Sequence, residues 1–325
     1  MAPADPFVAP TADTLPVAEA VIGGRFPEPI APGGEPRPTG GGQLRQIART
    51  FIENKLAVAG FVVLVLMVLF CWVGPLFYHT NQTNTQTALL NSTQNAPPSG
   101  TNPLGTDENG FDILGRLMFG GQNSLMIGFA AAGVATVLGV IWGAVSGFFG
   151  GVVDSVMMRI VDVFLSIPYI FLLVTLTVIF QSSVGLLIIV IGAVAWLVPA
   201  RLVRGETLTL RVREYVQAVR VMGGKGRRVV FRHIIPNTVG TIVVNATFQV
   251  ADAILALAAL GFLGLGVPPP QTDWGSMLSD GVNVVTLGYW WEIYPVAIAI
   301  ILVVVSLNFI GDALRDAFEV RLQRR

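Results

Sequence analysis

The chain has 325 residues, of which 53% are hydrophobic and only 12% are charged. Soluble domains carry roughly 25% charged residues, so this composition excludes a water-soluble protein built around one core. The formal net charge of zero hides an uneven distribution of Lys and Arg along the chain. The apolar stretches lack the period-2 alternation of a membrane β-barrel. We therefore expect an all-α integral membrane protein.

The N-terminal part of the chain differs from the rest in composition. Residues 1–43 are rich in Pro, Gly and Ala and have little apolar periodicity. They predict a disordered tail, because such a segment cannot bury enough surface to offset its ordering entropy. No apolar h-region precedes a cleavage site, so the tail is not a signal peptide. Residues 44–55 alternate basic and apolar positions at helical spacing and predict an interfacial helix.

The remaining residues, 56–325, form the predicted transmembrane domain. A helix needs about 20 apolar residues to cross a hydrocarbon layer of ~30 Å, and six stretches qualify. The six predicted transmembrane helices are Leu56–Phe77, Leu125–Phe148, Val156–Phe180, Val184–Arg204, Val239–Leu263 and Trp291–Ile310.

The distribution of Lys and Arg predicts the orientation of these spans. Nine of them fall within residues 201–232, whereas residues 78–124 contain only Arg116 and residues 264–290 contain none. Cytoplasmic loops carry the excess of positive charge. We therefore expect both termini and the loop between the fourth and fifth spans to be cytoplasmic, in a multi-pass protein of the cytoplasmic (inner) membrane.

That loop contains a short amphipathic helix. Tyr215, Val219 and Met222 stand at i, i+4 and i+7, which predicts one apolar stripe. Glu214 suits the positive end of the helix dipole, and Gly223 followed by a second glycine predicts the C-terminal stop. A helix this short is marginal alone in water, so its stripe packs either on a soluble partner or on the membrane surface.

Two small-residue and proline patterns predict helix packing and bends. Gly139, Gly143 and Gly147 form a doubled G-x-x-x-G ladder, a pattern typical of two helix backbones in close contact. Pro168 and Pro199 interrupt the third and fourth predicted spans, where we expect kinks.

The sequence EYVQA, with a glycine five residues further on, and the later RHIIPN resemble the EAA motif of ATP-binding-cassette (ABC) importer permeases. Glu214, Ala218 and Gly223 match the anchor positions, while Ile235 stands where the family usually has Leu. The resemblance implies that segment 211–237 contains a coupling helix, which docks on a cytoplasmic ATPase subunit.

Other segments extend the resemblance over roughly residues 45–322. They are NPLGTDENGFDILGRL, MRIVDVFLSIP, ARLVRGETL, FLGLGVPPP with DWGSML, and NFIGDALRDA. Together they are similar to the second permease subunit of dipeptide and oligopeptide importers, a family that includes nickel transporters. Two positions depart from the family pattern: Leu257 replaces a common acid, and Phe111 replaces an arginine.

The resemblance implies the type I ABC importer permease fold and a multi-subunit machine. The expected partners are a second homologous permease forming a heterodimer, two cytoplasmic ATP-binding subunits, an external substrate-binding protein, the peptide substrate and membrane lipid. ATP and Mg²⁺ are then bound by the partner subunits, and this chain needs no cofactor. The outer segments Asn102–Leu117 and Pro268–Ser279 are candidates for docking the binding protein.

Polar residues recur every three or four positions on the fifth predicted span. They are Thr238, Thr241, Asn245, Gln249 and Asp252. Polar groups in hydrocarbon are costly, so this stripe faces either a translocation path or a partner helix. We select Asn245, Gln249 and Asp252 as candidate path residues, with Asp252 replacing part of the role of the acid missing at Leu257.

Several other functions are excluded. The stretch MGGKGRR lacks the spacing and the Ser or Thr of a phosphate-binding loop, and the two histidines have no neighbouring metal ligands. We expect neither catalysis by this chain nor a nucleic-acid partner. The predicted function is translocation of di- or oligopeptides by alternating access. Two alternatives stay open: other cargo of the same family, such as nickel chelates or opines, and an ion-coupled secondary transporter.

Overall fold

The computed structural model describes residues 40–82, 84–91 and 93–323. Within these ranges the chain is helical, and the single β-bridge joins Thr106 to Asp112. The all-α prediction is therefore confirmed. The predicted tail lies outside the described residues except for 40–43, which form the first turn of α1 rather than tail.

The described residues form thirteen α-helices. In chain order they are α1 (Gly40–Glu53), α2 (Lys55–Phe77), α3 (Thr85–Asn91), α4 (Ile113–Phe149), α5 (Gly151–Leu165), α6 (Tyr169–Phe180), α7 (Val184–Ala195), α8 (Leu197–Leu210), α9 (Glu214–Val221), α10 (Gly226–Val229), α11 (Ile235–Phe262), α12 (Trp274–Val284) and α13 (Tyr294–Gln323). A π-helical turn, Val230–Ile234, joins α10 to α11.

Four helical stretches are long and apolar enough to cross a membrane: α2, α4, the continuous stretch Gly226–Phe262, and Trp290–Phe318, which includes most of α13. The pairs α5–α6 and α7–α8 also qualify, although they are bent by 83° and 42°. Counting each bent pair as one span gives the six predicted spans. α4 is the central helix and contacts α2, α7, α8 and α11.

The second span begins twelve residues earlier than the predicted Leu125. Its N-cap is Asp112, whose Oδ1 accepts a hydrogen bond from the backbone N–H of Gly115 at 2.7 Å. Polar residues in the first turns, such as Arg116 and Gln122, hid this part of the helix from a hydropathy argument. With 37 residues, α4 is about 55 Å long, so it extends beyond a hydrocarbon layer of ~30 Å.

Both predicted kinks occur, and the third span is interrupted rather than merely bent. Pro168 precedes α6 as its N-cap residue. Pro199 lies in the first turn of α8, and a proline ring clashes with the carbonyl four residues earlier, here that of Ala195. The break between α7 and α8 falls directly after Ala195, where that clash is relieved.

The glycine ladder packs α4 against α8, as its spacing predicts. A Cβ atom added to Gly147 would lie 2.7 Å from Cβ of Thr207 and 2.9 Å from the carbonyl oxygen of Arg204. At Gly143 an added Cβ would overlap the carbonyl oxygen of Ala200 and lie 2.9 Å from the backbone nitrogen of Arg204. Only glycine therefore permits this backbone-to-backbone distance.

We predict that Gly143→Ala destabilises the protein by about 1–3 kcal/mol, because the added methyl meets backbone atoms that cannot yield. The matched control is Gly133→Ala on the same helix, where an added Cβ meets nothing within 4 Å. The control should be neutral or slightly stabilising, since Ala favours helix. Thermal unfolding in detergent measures both changes, and equal stability of the two variants would contradict the prediction.

Candidate functional site

One side of α9 packs against the transmembrane helices, chiefly through Val216. Val216 is fully buried and packs in a cluster that contains Phe148 at the end of α4 and Val203 of α8. Val229 and Ile234, from the segment that leads into α11, complete the same cluster. α9 is therefore fixed to three membrane helices rather than lying free.

The opposite side of α9 is apolar and exposed. Ala218 lies about 200° around the helix from Val216, since successive residues are about 100° apart. Val221 and Met222 beside it are 88% and 78% exposed, and Tyr215 is 42% exposed. These four side chains, the outward face of α9, form an apolar surface on the side opposite the buried Val216.

The structure divides the apolar stripe predicted from the sequence. Tyr215 and Met222 belong to the outward face, together with the anchor residue Ala218, and Glu214 is exposed at its edge. Val219 instead leans towards the buried cluster and is only partly exposed. The predicted stripe included neither Val216 nor Val221, although the spacing of three between Ala218 and Val221 was a usable signal.

The glycine pair ends α9 as predicted. Gly223 has a φ of +82°, a left-handed conformation that favours glycine. The N–H groups of Met222 and Gly224 donate to the carbonyls of Ala218 (3.0 Å) and Val219 (2.9 Å). A Cβ added to Gly224 would lie 2.6 Å from that Val219 oxygen, so the turn leaves room for no side chain there.

Ion pairs hold the helices under α9 together. Arg204 of α8 donates two hydrogen bonds to the Asp154 carboxylate of α5, at 2.5 and 2.6 Å, and Arg201 pairs with Asp162. The Arg211 guanidinium donates to the Gly147 carbonyl at 2.9 Å, which joins the end of α8 to α4. A bidentate arginine–carboxylate pair fixes the relative orientation of the two helices that it joins, so the helices on which α9 packs are held together.

We predict that the same substitution strongly destabilises the protein at one position of α9 and has little effect on stability at another. Val216→Asp buries an unpaired carboxylate and should destabilise the protein by ~3 kcal/mol or more. Val221→Asp, on the outward face, should change stability by less than about 0.5 kcal/mol. Thermal unfolding of the purified chain in detergent measures both, and a large loss at Val221 would show that this residue packs within the chain.

A cavity of about 490 Å³ contains the three candidate path residues, Asn245, Gln249 and Asp252. It lies where the breaks between α5 and α6 and between α7 and α8 face α11. The Gln249 side-chain amide donates to the Ala195 carbonyl at 3.0 Å, the carbonyl at the α7–α8 break. Asn245 and Asp252 make no hydrogen bond or ion pair within the described residues.

The other two polar residues of the predicted stripe do not join this cavity. The Thr238 hydroxyl donates to the Ile235 carbonyl at 2.9 Å, and the Thr241 hydroxyl donates to the Glu206 carboxylate of α8 at 3.2 Å. The first turns of α11 therefore bond within the chain, whereas its middle lines the cavity.

The two departures from the family pattern have local explanations. Leu257 is fully buried in an apolar cluster with Ile127 and Leu187, where a carboxylate would have no polar partner. Phe111 is buried, and the Arg116 guanidinium lies 4.7 Å from the centre of its ring. Both side chains thus serve packing in this chain.

α12 closes the end of the bundle opposite α9. Asp273, fully buried, caps α12 by accepting from the N–H groups of Gly275 and Ser276, and its other oxygen accepts from the Val267 N–H at 2.8 Å. The Trp274 indole donates to the Leu117 carbonyl at 3.0 Å, which joins α12 to the start of α4. The two segments selected as outer candidates therefore lie together at this end.

Acidic side chains gather beside this junction. Asp107 pairs with Arg116 at 3.3 Å, and Asp280 of α12 lies in the same small cleft. Burial, and then the nearby Glu108, raise the pKa of Asp280 to about 6. Because the folded state binds this proton more tightly than the unfolded chain, the contribution to stability is present at low pH and is lost as the pH rises through 6.

We predict that Asp280→Asn reduces the loss of stability between pH 5 and pH 7.5. A pKa shift of about two units corresponds to at most ~3 kcal/mol over the whole range from about pH 4 to pH 6, and solvent screens this partly exposed group, so we expect ~1 kcal/mol or less between pH 5 and pH 7.5. Melting temperatures of the purified wild type and variant across this range measure the effect. An unchanged pH dependence in the variant would assign the effect to other acids, such as Asp107.

This geometry defines a class of protein: a helical membrane permease with an exposed helix fixed to its transmembrane helices. Residues 135–324 match the family model described as "Binding-protein-dependent transport system inner membrane component". Residues 42–98 match the N-terminal transmembrane domain of oligopeptide transport permease C. The chain therefore belongs to the family of binding-protein-dependent transport system inner membrane components, and it is a permease of the ABC importer type rather than an enzyme.

Similar proteins cover most of the chain. The oligopeptide transport system permease protein OppC of Haemophilus influenzae is 39% identical over 83% of this chain and 86% of its own length. OppC of Escherichia coli K12 is 41% identical over 83% and 89%. The dipeptide transport system permease protein DppC of Bacillus subtilis is 37% identical over 85% of both chains.

A solved structure shares the fold. A chain of the methionine ABC transporter MetNI, described as inward facing, superposes with a TM-score of 0.51 at 22% identity. The match covers 62% of this chain and 96% of that chain. The type I importer fold inferred from the sequence resemblance is thus supported by geometry.

Proposed function

We propose that this chain is one permease of a heterodimeric, ATP-driven importer, and that it carries di- or oligopeptides across the cytoplasmic membrane by alternating access. The observation that carries the proposal is the outward face of α9. Its four exposed apolar side chains are fixed to the membrane helices through Val216, so a force applied to them reaches α4, α8 and α11 directly. The names of the relatives supply the peptide cargo.

The outward face suits docking on an ATP-binding subunit. An exposed apolar patch on a helix in water favours a protein partner, and each side chain of this size that is buried contributes roughly 1.5–3 kcal/mol. Glu214 stands at the edge of the patch, at the N-terminal end of α9, where it also stabilises the helix. ATP and Mg²⁺ are bound by the two ATP-binding partners, whose closure supplies the difference in free energy between the two transport states.

The charge distribution supports a cytoplasmic α9. Eight of the nine basic residues between 201 and 232 lie at or near the α9 end, from Arg204 to Arg232, whereas Arg116 is alone at the α12 end. Positive charge is retained on the cytoplasmic side. Both termini are then cytoplasmic, and the α12 end faces outward to receive the substrate-binding protein on Asn102–Leu117 and Pro268–Ser279.

The cavity beside α11 provides the chain's share of a translocation path. Broken helices around a polar site at mid-membrane are typical of transporters, because irregular backbone is tolerated where it lines a cavity. Asn245, Gln249 and Asp252 provide polar groups there, and the second permease would complete the path.

The test of α9 is recovery of partner subunits with a tagged chain from native membranes in mild detergent. Wild type should recover an ATP-binding subunit together with a second permease. Val221→Asp should lose the ATP-binding subunit at least about tenfold and keep the second permease, since a buried charge costs several kcal/mol. The control Val212→Asp makes the same substitution at an exposed valine that precedes α9 and lies outside its outward face.

Two results would contradict the proposal. If the wild type recovered no ATP-binding subunit, the docking role of α9 would be wrong. If membranes containing the complete transporter took up no labelled tripeptide but did take up a nickel chelate or another solute, the peptide cargo would be wrong while the importer mechanism stood.

A further inference from the structure

The cavity beside α11 has an uneven chemistry. Its walls are mainly hydrocarbon, contributed by side chains such as Phe164, Ile170 and Phe248. Asp252 is the one carboxylate in the lining, and no Lys, Arg or His accompanies it. A cavity of this kind offers a negative charge to whatever enters it and offers no fixed positive charge in return.

The Asp252 carboxylate also lacks a hydrogen-bond or ion-pair partner within the described residues, and its side chain is exposed. Three acids on neighbouring membrane helices are engaged: Asp154 and Asp162 pair with arginines, and Glu206 accepts from Thr241. A carboxylate inside a membrane protein is costly unless it is solvated or paired, so Asp252, exposed to the cavity and without a partner in the described residues, is available to a cation that enters.

The spacing of the polar groups on α11 fits a short extended peptide. Asn245 and Asp252 are seven residues apart, which places them about 10 Å from each other along the helix axis. About three extended residues span that distance. Gln249 lies between them, and one N–H of its amide donates to the Ala195 carbonyl, which leaves its side-chain oxygen to accept from a peptide N–H.

We propose that Asp252 makes this cavity selective for substrates with a protonated amine, and that it receives the free α-amino group of the peptide during translocation. The Asn245 and Gln249 side chains then meet the peptide backbone, and the apolar walls accept side chains of varied shape. Selectivity for a charged end would thus reside partly in the permease itself. This inference rests on the proposed function of peptide import.

The charge of the lining favours this occupant. An ammonium group pairs with the carboxylate by a charge-assisted hydrogen bond, which is stronger in a mostly apolar cavity than in water. A substrate whose amine is blocked would leave Asp252 desolvated and unpaired. Sites that bury a polar group in this way reject the analogue that lacks the partner far more strongly than they select by shape.

The experiment uses the complete transporter in nanodiscs without the binding protein, so that only the membrane part selects. Two photo-crosslinking tripeptides of the form Ala-Ala-benzoylphenylalanine are compared, one with a free amine and one N-acetylated. Wild type should be labelled about tenfold more by the free-amine probe. Asp252→Asn should label equally with both probes, and Asp252→Glu should restore the preference. Asp312→Asn, which removes an exposed carboxylate of α13 outside the cavity, should behave as wild type.

Other outcomes overturn the inference. Equal labelling of the wild type by both probes, or labelling by neither, would show that the cavity does not bind the free amine selectively. Loss of the second permease from Asp252→Asn in detergent would assign Asp252 to the subunit interface. Uptake of labelled tripeptide by the same preparations with binding protein present is measured in parallel. If the wild type takes up no tripeptide, the proposed function is wrong. If it takes up tripeptide but shows no amine preference in the labelling assay, only the role of Asp252 is wrong.

Discussion

The close packing of α4 against α8 is the constraint on which the other features depend. Three glycines of α4 let the backbone of α8 approach so closely that a single methyl would overlap it. This contact fixes the direction of α8, and with it the arginines that pair with α5 and bond the end of α4. The buried cluster that contains Val216 forms at the same place, so the position of α9 depends on the glycine ladder.

The breaks in two membrane spans serve a second purpose. A continuous helix satisfies its own backbone and has little capacity to bind a solute, whereas a broken helix leaves backbone groups that must be satisfied elsewhere. Pro199 displaces the Ala195 carbonyl from its helix, and Gln249 of α11 donates to it. The same proline thus opens a cavity and recruits a polar side chain to its wall, next to the unpaired Asp252.

The two ends of the bundle are built differently. At the α9 end, Arg204 of α8 pairs with Asp154 of α5, and an apolar face is left open to a partner. At the α12 end, Asp273 and Trp274 are buried, and both carboxylate oxygens of Asp273 accept hydrogen bonds from backbone N–H groups or from Ser276. The α9 end, with its exposed apolar face, is therefore the end suited to dock a partner that drives the transport cycle.

The sequence by itself determined the class of fold, the number of spans, the glycine ladder and the position of α9 in the chain. These depend on composition and on local spacing, which act between residues near one another in the chain. The predicted second span lies within α4 but leaves out its first twelve residues, whose polar side chains are bonded by distant segments, as in the bond from Arg116 to the Pro270 carbonyl. Only the tertiary structure decided which side of α9 is free, because Val216 and Val221 differ in what packs on them rather than in chemistry. It also separated Asp252 from the threonines of the same stripe, since a cavity is formed by several helices and has no signature in any one of them.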